Sequence, residues 1–375
     1  MAQESLRRLF ITVFAVSLGG CGGGGSDGSS STNPGLPPQT SVTPEDTGDG
    51  WAVSSASAEG IDQATLLAAM QSIRDGDYPG VDSLLVVRHG RLVAEGYFNG
   101  FGRDAIHDLR STGKSFTSAL AGIAIDQGLI GIDDPISQHL PDFENHANMD
   151  GRKRAITVRN LLNMSSGLEC NDWDPSSRGN EERMYGSRDW VKFILDLHMV
   201  NEPGVVASYC TGGVIVLGDI LSLRSGMTLD NYAATYLFGP LGIQQSRWRL
   251  SPDGRATGGG GLWLRPRDTA KFGQLYLDGG TWKGVRVVPA NWVEQSRVRS
   301  YTFGRDGYGL LWWKRTFSYD GATVDSFFTS GNGGNFIFVV PALDLVVTFT
   351  GSNYNSPRGD QPFAILENRV LSTVH

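Results

Sequence analysis

The sequence predicts an α+β fold in which one antiparallel sheet is built from strands at both ends of the chain. Segments rich in β-branched and aromatic residues occur at 83–98 and again at 309–350, with helical patterns between them. The simplest assembly joins both groups in one sheet that is flanked by terminal helices, with a mainly helical insertion beside it. We expect the sheet part at about 60–110 and 301–375, the helical part at about 115–300, and a functional cleft between them.

The strands are predicted from short apolar segments that are bounded by turn residues. Residues 83–88 and 91–98 lie on either side of His89-Gly90, which indicates a hairpin. Glycine, asparagine and proline separate four further segments near the C-terminus. These predicted strands are 309–314, 325–330, 335–340 and 345–350.

The helices are predicted from capping residues and apolar patterns. Residues 116–125 are apolar on nearly every side, which indicates a helix that is buried all round and ends at Gly128. Thr157 and Asp189 are placed to cap two further helices. Pro266 suits the first turn of a helix that ends before residues 279–280.

The N-terminus has the layout of a secretory signal. In residues 1–20, Arg7 and Arg8 precede an apolar run that is too short to span a bilayer. Cys21 follows Leu-Gly-Gly, which resembles a bacterial lipoprotein processing site. We therefore expect a lipid-anchored envelope lipoprotein, periplasmic or at the cell surface, with an ordinary signal peptide as the alternative. Residues 21–50 are predicted to be a flexible tether because they are rich in Gly, Ser, Pro and Thr, and 51–375 a hydrolase domain.

Charge and cysteine usage exclude several classes of protein. The net charge is −7 and there is no basic run, so nucleic acid is not an expected partner. We expect neither a metal nor another cofactor, because there is no His cluster, Cys-x-x-Cys or phosphate-binding loop. If Cys21 carries lipid, Cys170 and Cys210 are left as a plausible disulfide in an oxidising compartment. The sequence does not indicate an oligomeric state.

Ser111 and Lys114 form a Ser-x-x-Lys motif at the start of the buried helix. Residues three apart in a helix lie on one face, so the lysine amine would sit beside the serine hydroxyl. A serine hydroxyl needs a base to become an effective nucleophile. The motif alone is expected by chance, and only its position before a buried helix makes it a candidate catalytic pair.

Further motifs follow in a fixed order. They are Arg110-Ser111-Thr112-Gly113-Lys114, Asp133-Asp134-Pro135-Ile136, Leu161-Leu162-Asn163-Met164-Ser165-Ser166-Gly167-Leu168, Pro203-Gly204 ahead of Ser208-Tyr209-Cys210-Thr211, Arg267-Asp268, and Gly331-Asn332-Gly333-Gly334. From about residue 61 to the C-terminus, this order resembles the beta-lactamase-related serine hydrolases, which include class C beta-lactamases, D-alanyl-D-alanine peptidases, esterases and nylon-oligomer hydrolases. The resemblance implies a beta-lactamase/transpeptidase-like fold and an acyl-enzyme mechanism without a cofactor.

The resemblance also implies roles for individual residues. Ser111 would be the acylated nucleophile, Lys114 its activating amine, and Tyr209 the tyrosine that shuttles protons. The oxyanion hole would use the backbone N–H of Ser111 and that of Gly331 or Asn332.

Two departures from the family pattern bear on the substrate. Thr211 stands where the family commonly has an asparagine, and Thr329-Ser330-Gly331 or Asn332-Gly333-Gly334 stands where a lysine or histidine motif is common. We expect Thr211 and Ser330 to contact the substrate without supplying a cation for a carboxylate.

This pattern predicts an esterase or amidase on small neutral substrates. A beta-lactamase or D-alanyl-D-alanine carboxypeptidase is the alternative enzyme, because Arg267 or Arg358 could supply the missing charge. A non-catalytic envelope binding protein with the same fold is the alternative of another class.

Overall fold

The structure, a computed structural model, describes residues 43–375. Its strands follow in chain order. They are β1 (Ala52–Val53), β2 (Val81–Arg88), β3 (Arg91–Tyr97), β4 (His107–Asp108), β5 (Arg247–Trp248), β6 (Leu262–Leu264), β7 (Thr281–Trp282), β8 (Val285–Arg286), β9 (Tyr301–Phe303), β10 (Asp306–Tyr308), β11 (Trp313–Tyr319), β12 (Ala322–Gly331), β13 (Asn335–Val340) and β14 (Leu345–Gly351).

Within residues 43–375, nine of these strands form one sheet in the order β1-β3-β2-β14-β13-β12-β11-β10-β9. Strand β14 pairs antiparallel with β2, which joins the two ends of the chain. The short β1–β3 pair is parallel, and the other neighbours are antiparallel. The predicted α+β class, with one sheet from both chain ends, is confirmed.

The helical part lies between β3 and β9, and its helix α9 packs on one face of the sheet. In chain order the helices are α1 (Gln63–Arg74), α2 (Gly113–Asp126), α3 (Gly151–Arg154), α4 (Val158–Leu162), α5 (Glu181–Tyr185), α6 (Trp190–Leu195), α7 (Thr211–Ser225), α8 (Leu229–Ala233), α9 (Pro266–Leu277), α10 (Ala290–Ser296) and α11 (Gln361–Ile365). Thr157 caps α4 and Asp189 caps α6 through side-chain oxygens, as their sequence positions predicted.

Close packing of α9 fixes the face of the sheet that carries the site. A Cβ atom on Gly273 would lie 2.5 Å from Cγ1 of Val346 and 2.7 Å from Cγ2 of Ile337. Because real Cβ contacts are longer, only glycine lets α9 approach β13 and β14 this closely. Helix α2 packs beside α9 through Phe116 and Phe272, whose ring centroids are 3.7 Å apart. Helices α1 and α11 cover the opposite face.

One predicted strand is wrong in part. Residues 309–312 form a buried turn between β10 and β11, in which Leu311 has a φ of 63°. Leu310, Leu311 and Trp312 are all buried, so their side chains satisfy the apolar pattern of a strand without forming one. The predicted strand at 309–314 therefore begins only at Trp313.

Residues just before Trp51 are bonded to the domain through Arg267. Arg267 donates hydrogen bonds to the carbonyl oxygen of Glu45 at 2.8 Å and to Thr47 Oγ1 at 2.8 Å. It also forms an ion pair with Asp49 at 3.2 Å. Ion pairs and hydrogen bonds thus attach the last residues of the predicted tether to the domain, which begins before Trp51. The predicted signal segment, Cys21 and the rest of the tether lie outside the described residues.

A helix must be long and apolar to cross a membrane. Among residues 43–375 no single helix meets the requirement, and one bent pair, α7 with the segment 229–238, meets it only in combination.

Candidate active site

Ser111 and Lys114 meet where a tight turn leads into α2. Ser111 lies in the single 3-10 turn Arg110–Thr112, which α2 continues from Gly113. Lys114 Nζ lies 2.8 Å from Ser111 Oγ. The same nitrogen donates to the carbonyl oxygen of Gly259 at 2.5 Å. The amine therefore has two partners. The Gly259 carbonyl oxygen can only accept a hydrogen bond, whereas the Ser111 hydroxyl can also give up a proton.

The surroundings of Lys114 favour its neutral form. Its side chain is 2% exposed, and no carboxylate of the described residues forms an ion pair with it. Burial lowers the pKa of Lys114, and the negative charges of Glu181 and Asp172 oppose that shift only in part. A neutral amine can accept the proton of Ser111, which an ammonium cannot do.

Tyr209 reaches the same point from the segment that precedes α7. The Lys114 nitrogen lies 5.3 Å from the centroid of the Tyr209 ring. Burial raises the pKa of Tyr209, its hydrogen bond with Ser111 lowers it, and the charges of Asp172 and Glu181 raise it further. The net shift is upward, so Tyr209 is a neutral phenol that can donate a proton. A phenol with a raised pKa serves a proton shuttle as a donor first and as a base only after it has given up its proton.

Four aromatic side chains hold the Tyr209 ring, and we call them the aromatic wall: Trp173, Phe303, Tyr308 and Trp313. The Trp173 ring stacks on Tyr209 with centroids 5.0 Å apart and planes at 6°. The ring centroid of Trp313 lies 5.9 Å from that of Tyr209 on a stacked geometry. Trp173 is 57% exposed, so the aromatic wall reaches the solvent beside Ser111. It fixes the phenol and offers an apolar surface to a substrate.

The Cys170–Cys210 bridge ties down the Tyr209 segment, as the cysteine count predicted. The two cysteines are joined across 40 positions of sequence. Cys210 is also the N-cap residue of α7, next to Tyr209. The bridge thus connects Tyr209 covalently to the loop that carries Trp173.

The end of β12 brings the predicted oxyanion donors to Ser111. A Cβ atom on Gly331 would lie 2.2 Å from the carbonyl oxygen of Leu109 and 3.2 Å from the backbone nitrogen of Thr112. Glycine is required at this contact, because any side chain would push the strand away from the turn. Asn332 follows on the exposed side and lines the cavity described next. Gly331 and Asn332 are therefore both beside the backbone of Ser111.

A cavity of about 260 Å³ opens at Ser111, and no residue of the aromatic wall is among the residues that line it. Its lining is strongly polar and carries both signs of charge. The lining residues are Asp108, Arg110, Ser111, Glu181, Glu182, Tyr185, Arg249, Gly259, Gly260, Gly261, Asn332, Tyr354 and Asn355.

Two arginines bring positive charge into this cavity. Arg110 forms an ion pair with Asp108 at 3.1 Å, and its guanidinium lies 4.4 Å from the centroid of the Tyr354 ring. The guanidinium of Arg249 lies 4.0 Å from the Tyr185 ring centroid. Within residues 43–375 no carboxylate forms an ion pair with Arg249. Arg249 is thus a cation in the cavity that a substrate anion could reach.

Three residues named in the sequence analysis lie outside the cavity lining. Thr211 is 1% exposed at the first position of α7, and its methyl group packs against Gly259. Thr329 is fully buried and bonds to Thr112 at 3.1 Å between hydroxyl oxygens. Ser330 is half-buried and faces the opposite side of β12 from Thr329 and Gly331.

The arginines suggested as substitutes for the missing cation do not line the cavity either. Arg267 is 2% exposed and forms an ion pair with Glu95 at 2.7 Å. Its guanidinium is therefore paired inside the domain and does not reach a substrate. Arg358 lies in the turn Pro357–Asp360 and is not part of the lining.

Sequence reasoning missed Asp172, Glu181, Arg249 and the carbonyl group of Gly259. Asp172 carried one signal, because it lies two residues after Cys170 and the predicted bridge places that segment at Tyr209. Arg249 carried none, since it is far in sequence from every motif. Within residues 43–375 no group of three or more His, Cys, Asp and Glu side chains is arranged to hold a metal ion.

Comparison with known proteins identifies the family. The family profile described as Beta-lactamase matches residues 64–368. The chain is 29% identical over 225 residues to the 6-aminohexanoate-dimer hydrolase of Paenarthrobacter ureafaciens, which covers 57% of this chain and 56% of that protein. The chain thus spans little more than half the length of this curated relative.

Solved structures show the same fold at lower identity. The hydrolase EstCE1, described as having promiscuous acyltransferase activity, superposes with a TM-score of 0.64 at 17% identity, covering 80% of this chain and 99% of that one. A class C beta-lactamase from Rhodobacter sphaeroides superposes with a TM-score of 0.59 at 18% identity, covering 80% and 97%. With a profile match over most of its length, the chain belongs to the beta-lactamase family of serine hydrolases and has the beta-lactamase/transpeptidase-like fold.

Proposed function

We propose that this protein hydrolyses small ester or amide substrates through an acyl-enzyme formed at Ser111. The observation that carries the proposal is the 2.8 Å contact between Ser111 Oγ and a lysine nitrogen that is buried without a carboxylate partner. The named activities of similar proteins, which include hydrolysis of the 6-aminohexanoate dimer and promiscuous acyltransferase activity, are compatible with this chemistry.

The proton route follows from the two pKa shifts. Neutral Lys114 accepts the proton of Ser111 as Oγ attacks the carbonyl carbon of the substrate. Tyr209, whose pKa is raised by burial, donates its proton to the leaving alcohol or amine and is reprotonated through Lys114. The bond from the acyl carbon to the leaving group breaks, and the acyl group stays on Ser111. Water then attacks the acyl-enzyme by the same route in reverse.

The negative charge that develops on the carbonyl oxygen needs donors close to Ser111. The backbone N–H groups of Ser111 and of Gly331 or Asn332 are the candidates, because β12 ends against the Ser111 turn. Such fixed donors contribute about 3 kcal/mol each to transition-state stabilisation in other serine hydrolases.

A fluorophosphonate probe tests the nucleophile directly. Wild-type protein should gain one probe adduct on the peptide that contains Ser111 and should hydrolyse p-nitrophenyl esters. Ser111→Ala should lose both properties and remain folded, since the substitution is small. Ser115→Ala is the matched control, because Ser115 lies in the helix that follows Ser111 and donates its hydroxyl to the Leu311 carbonyl oxygen. An unlabelled wild type would favour the non-catalytic binding protein instead.

A beta-lactamase or D-alanyl-D-alanine carboxypeptidase is the second candidate, and Arg249 favours it. The sequence argument against a carboxylate-bearing substrate depended on the absence of a cation, and Arg249 supplies one from another segment. Neutral apolar esters should still exceed nitrocefin by about tenfold in kcat/KM, or about 1.4 kcal/mol. Glu181 and Glu182 support this preference for neutral esters, because both carboxylates line the same cavity and repel an anionic substrate. Equal turnover of nitrocefin and the best ester would select the second candidate.

We also propose that the protein is anchored to a membrane of the cell envelope by lipid on Cys21. Support comes from the sequence around Cys21, which resembles a lipoprotein processing site. Cys21→Ala should move the protein from the membrane fraction to the soluble fraction and abolish labelling by a palmitate analogue. A wild-type protein that takes up no label would contradict the anchor.

A further inference from the structure

Asp172 is a half-buried carboxylate beside the proposed catalytic groups that the proton route does not use. One of its oxygens accepts the backbone N–H of Thr211 at 2.6 Å, and the other accepts that of Glu181 at 3.0 Å. Its own backbone N–H donates to the carbonyl oxygen of Tyr209 at 2.9 Å. Asp172 therefore links the start of α5 to the Tyr209 carbonyl group and to the backbone of Thr211, two residues further along the chain.

The link spans elements that are distant in sequence. Thr211 opens α7 and Glu181 opens α5, and the two N–H groups are ones that a helix leaves without internal partners. A single carboxylate satisfies both, and a charged acceptor makes these hydrogen bonds stronger than a neutral one would. Loss of the charge would therefore loosen Tyr209 relative to the cavity.

Asp172 also acts on the charges around it. Its charged and titratable neighbours are Lys114 on α2, Glu181 on α5 and Tyr209 in the segment that precedes α7. Tyr185 on α5 donates to Glu181 at 3.0 Å, and Arg249 lies over the Tyr185 ring. Burial raises the pKa of Asp172 to about 6, with Glu181 adding to the shift and Lys114 opposing it. Above that pH the negative charge of Asp172 raises the pKa of both Lys114 and Tyr209.

We propose that Asp172 is a positioning residue for the acyl-transfer reaction, which holds Tyr209 beside Ser111 and adds to the negative charge that Glu181 places near Lys114. The proposal depends on the function proposed above. Asp172 does not line the substrate cavity, so it acts through Tyr209 and Lys114 rather than on the substrate.

The test is the pH dependence of ester hydrolysis by Asp172→Asn. Removing the negative charge lowers the pKa of Lys114, so the limb of kcat/KM that rises with pH should move to lower pH. The asparagine amide can accept only one of the two N–H groups, so kcat at the pH optimum should fall about a hundredfold. KM for a neutral ester should stay within about twofold, since the residue makes no substrate contact.

Two further variants separate charge from structure. Asp172→Glu keeps the negative charge but changes the hydrogen-bond geometry. Its kcat/KM should therefore rise with pH over the same range as in the wild type, while its kcat is reduced. Asp219→Asn is the matched control, because Asp219 is a half-buried acid on α7 that is paired with Arg255 away from the cavity. That variant should unfold at a lower temperature than the wild type, and its kcat/KM should have the pH dependence of the wild type.

Each result has one meaning. If wild-type protein neither turns over esters nor takes up the fluorophosphonate probe, the proposed function fails and Asp172 has no reaction to serve. If the wild type is active, a pH profile of Asp172→Asn that superposes on it, or an unchanged kcat, overturns the role of Asp172 alone. Should Asp172→Asn not fold, Asp172→Glu decides, because a wild-type kcat in that variant would contradict the positioning role.

Discussion

Two buried lysines on neighbouring helices have opposite surroundings. Lys271 on α9 is fully buried and forms an ion pair with Asp268 at 3.0 Å. Lys114 on α2 is almost as buried, yet its nitrogen contacts a hydroxyl and a carbonyl oxygen. The carboxylate at Lys271 compensates a buried charge, whereas the partners of Lys114 cannot do so. Burial of a lysine therefore indicates reactivity only where no carboxylate pairs with it.

Exchanging each lysine for methionine gives the largest expected contrast. Lys114→Met should reduce kcat/KM for esters by about a thousandfold or more, since the base for Ser111 is lost. Its free energy of unfolding should change little, because methionine fits a buried site. Lys271→Met should lower the free energy of unfolding by about 3 kcal/mol, because Asp268 loses the fully buried one of its two cationic partners and keeps only Arg265. The folded fraction of that variant should keep near wild-type activity.

These outcomes are measured by urea unfolding and by ester turnover normalised to the amount of folded protein. A large loss of stability in Lys114→Met would mean that its lysine is structural like Lys271. Tyr209→Phe combined with Lys114→Met should be no worse than the poorer single variant, because the two groups act as a unit.

Removing the disulfide tests whether the Lys114 region also depends on a covalent link. Cys170 and Cys210 close a loop of about 41 residues, which chain-entropy arguments value at about 4 kcal/mol of unfolding free energy. The double serine variant should lose about that much stability and some activity, because Tyr209 adjoins the bridge. Thiol titration of the denatured, unreduced wild type should find neither cysteine reactive. Reaction of both thiols would contradict the bridge.

The same comparison can be made between two arginines, one that lines the cavity and one that does not. The expected effect on ester turnover is smaller than for the lysines. Arg249→Gln should lower kcat/KM about tenfold, or about 1.4 kcal/mol, for an ester that carries a carboxylate, and should leave the matched neutral ester unchanged. Arg247→Gln is the control, since its guanidinium stacks 4.3 Å from the Trp263 centroid outside the cavity lining. Equal effects of both variants on both esters would remove Arg249 from substrate binding.

Local signals explain which parts of the fold were predictable. Thr157 and Asp189 are helix caps in sequence and in structure, because a cap depends only on residues within one turn. The strand at 335–340 was predicted with its observed bounds, since every one of its residues is buried between two layers. The buried turn at 309–312 was not, because an apolar run looks the same in a strand and in a packed turn.

The candidate site was predictable only where its residues lie in motifs. Ser111, Lys114 and Tyr209 do meet, and Gly331 and Asn332 lie beside them. The charged lining could not be predicted, because Glu181 and Arg249 reach the cavity from segments that tertiary packing alone brings together. Thr329 stands in sequence where a lysine or histidine motif is common, yet the pleat of β12 directs its side chain to Thr112 in the core.

The four glycines at 258–261 limit how this site can diversify. A Cβ atom on Gly260 would lie 2.9 Å from the carbonyl oxygen of Arg110, and one on Gly261 would lie 2.6 Å from the Cβ of Arg249. Both residues also have φ angles in the region that disfavours side chains. Mutational libraries aimed at this loop should therefore return almost only glycine. New substrate ranges, in the laboratory or in natural lineages, would have to arise from the opposite rim at Glu182 and Asn355.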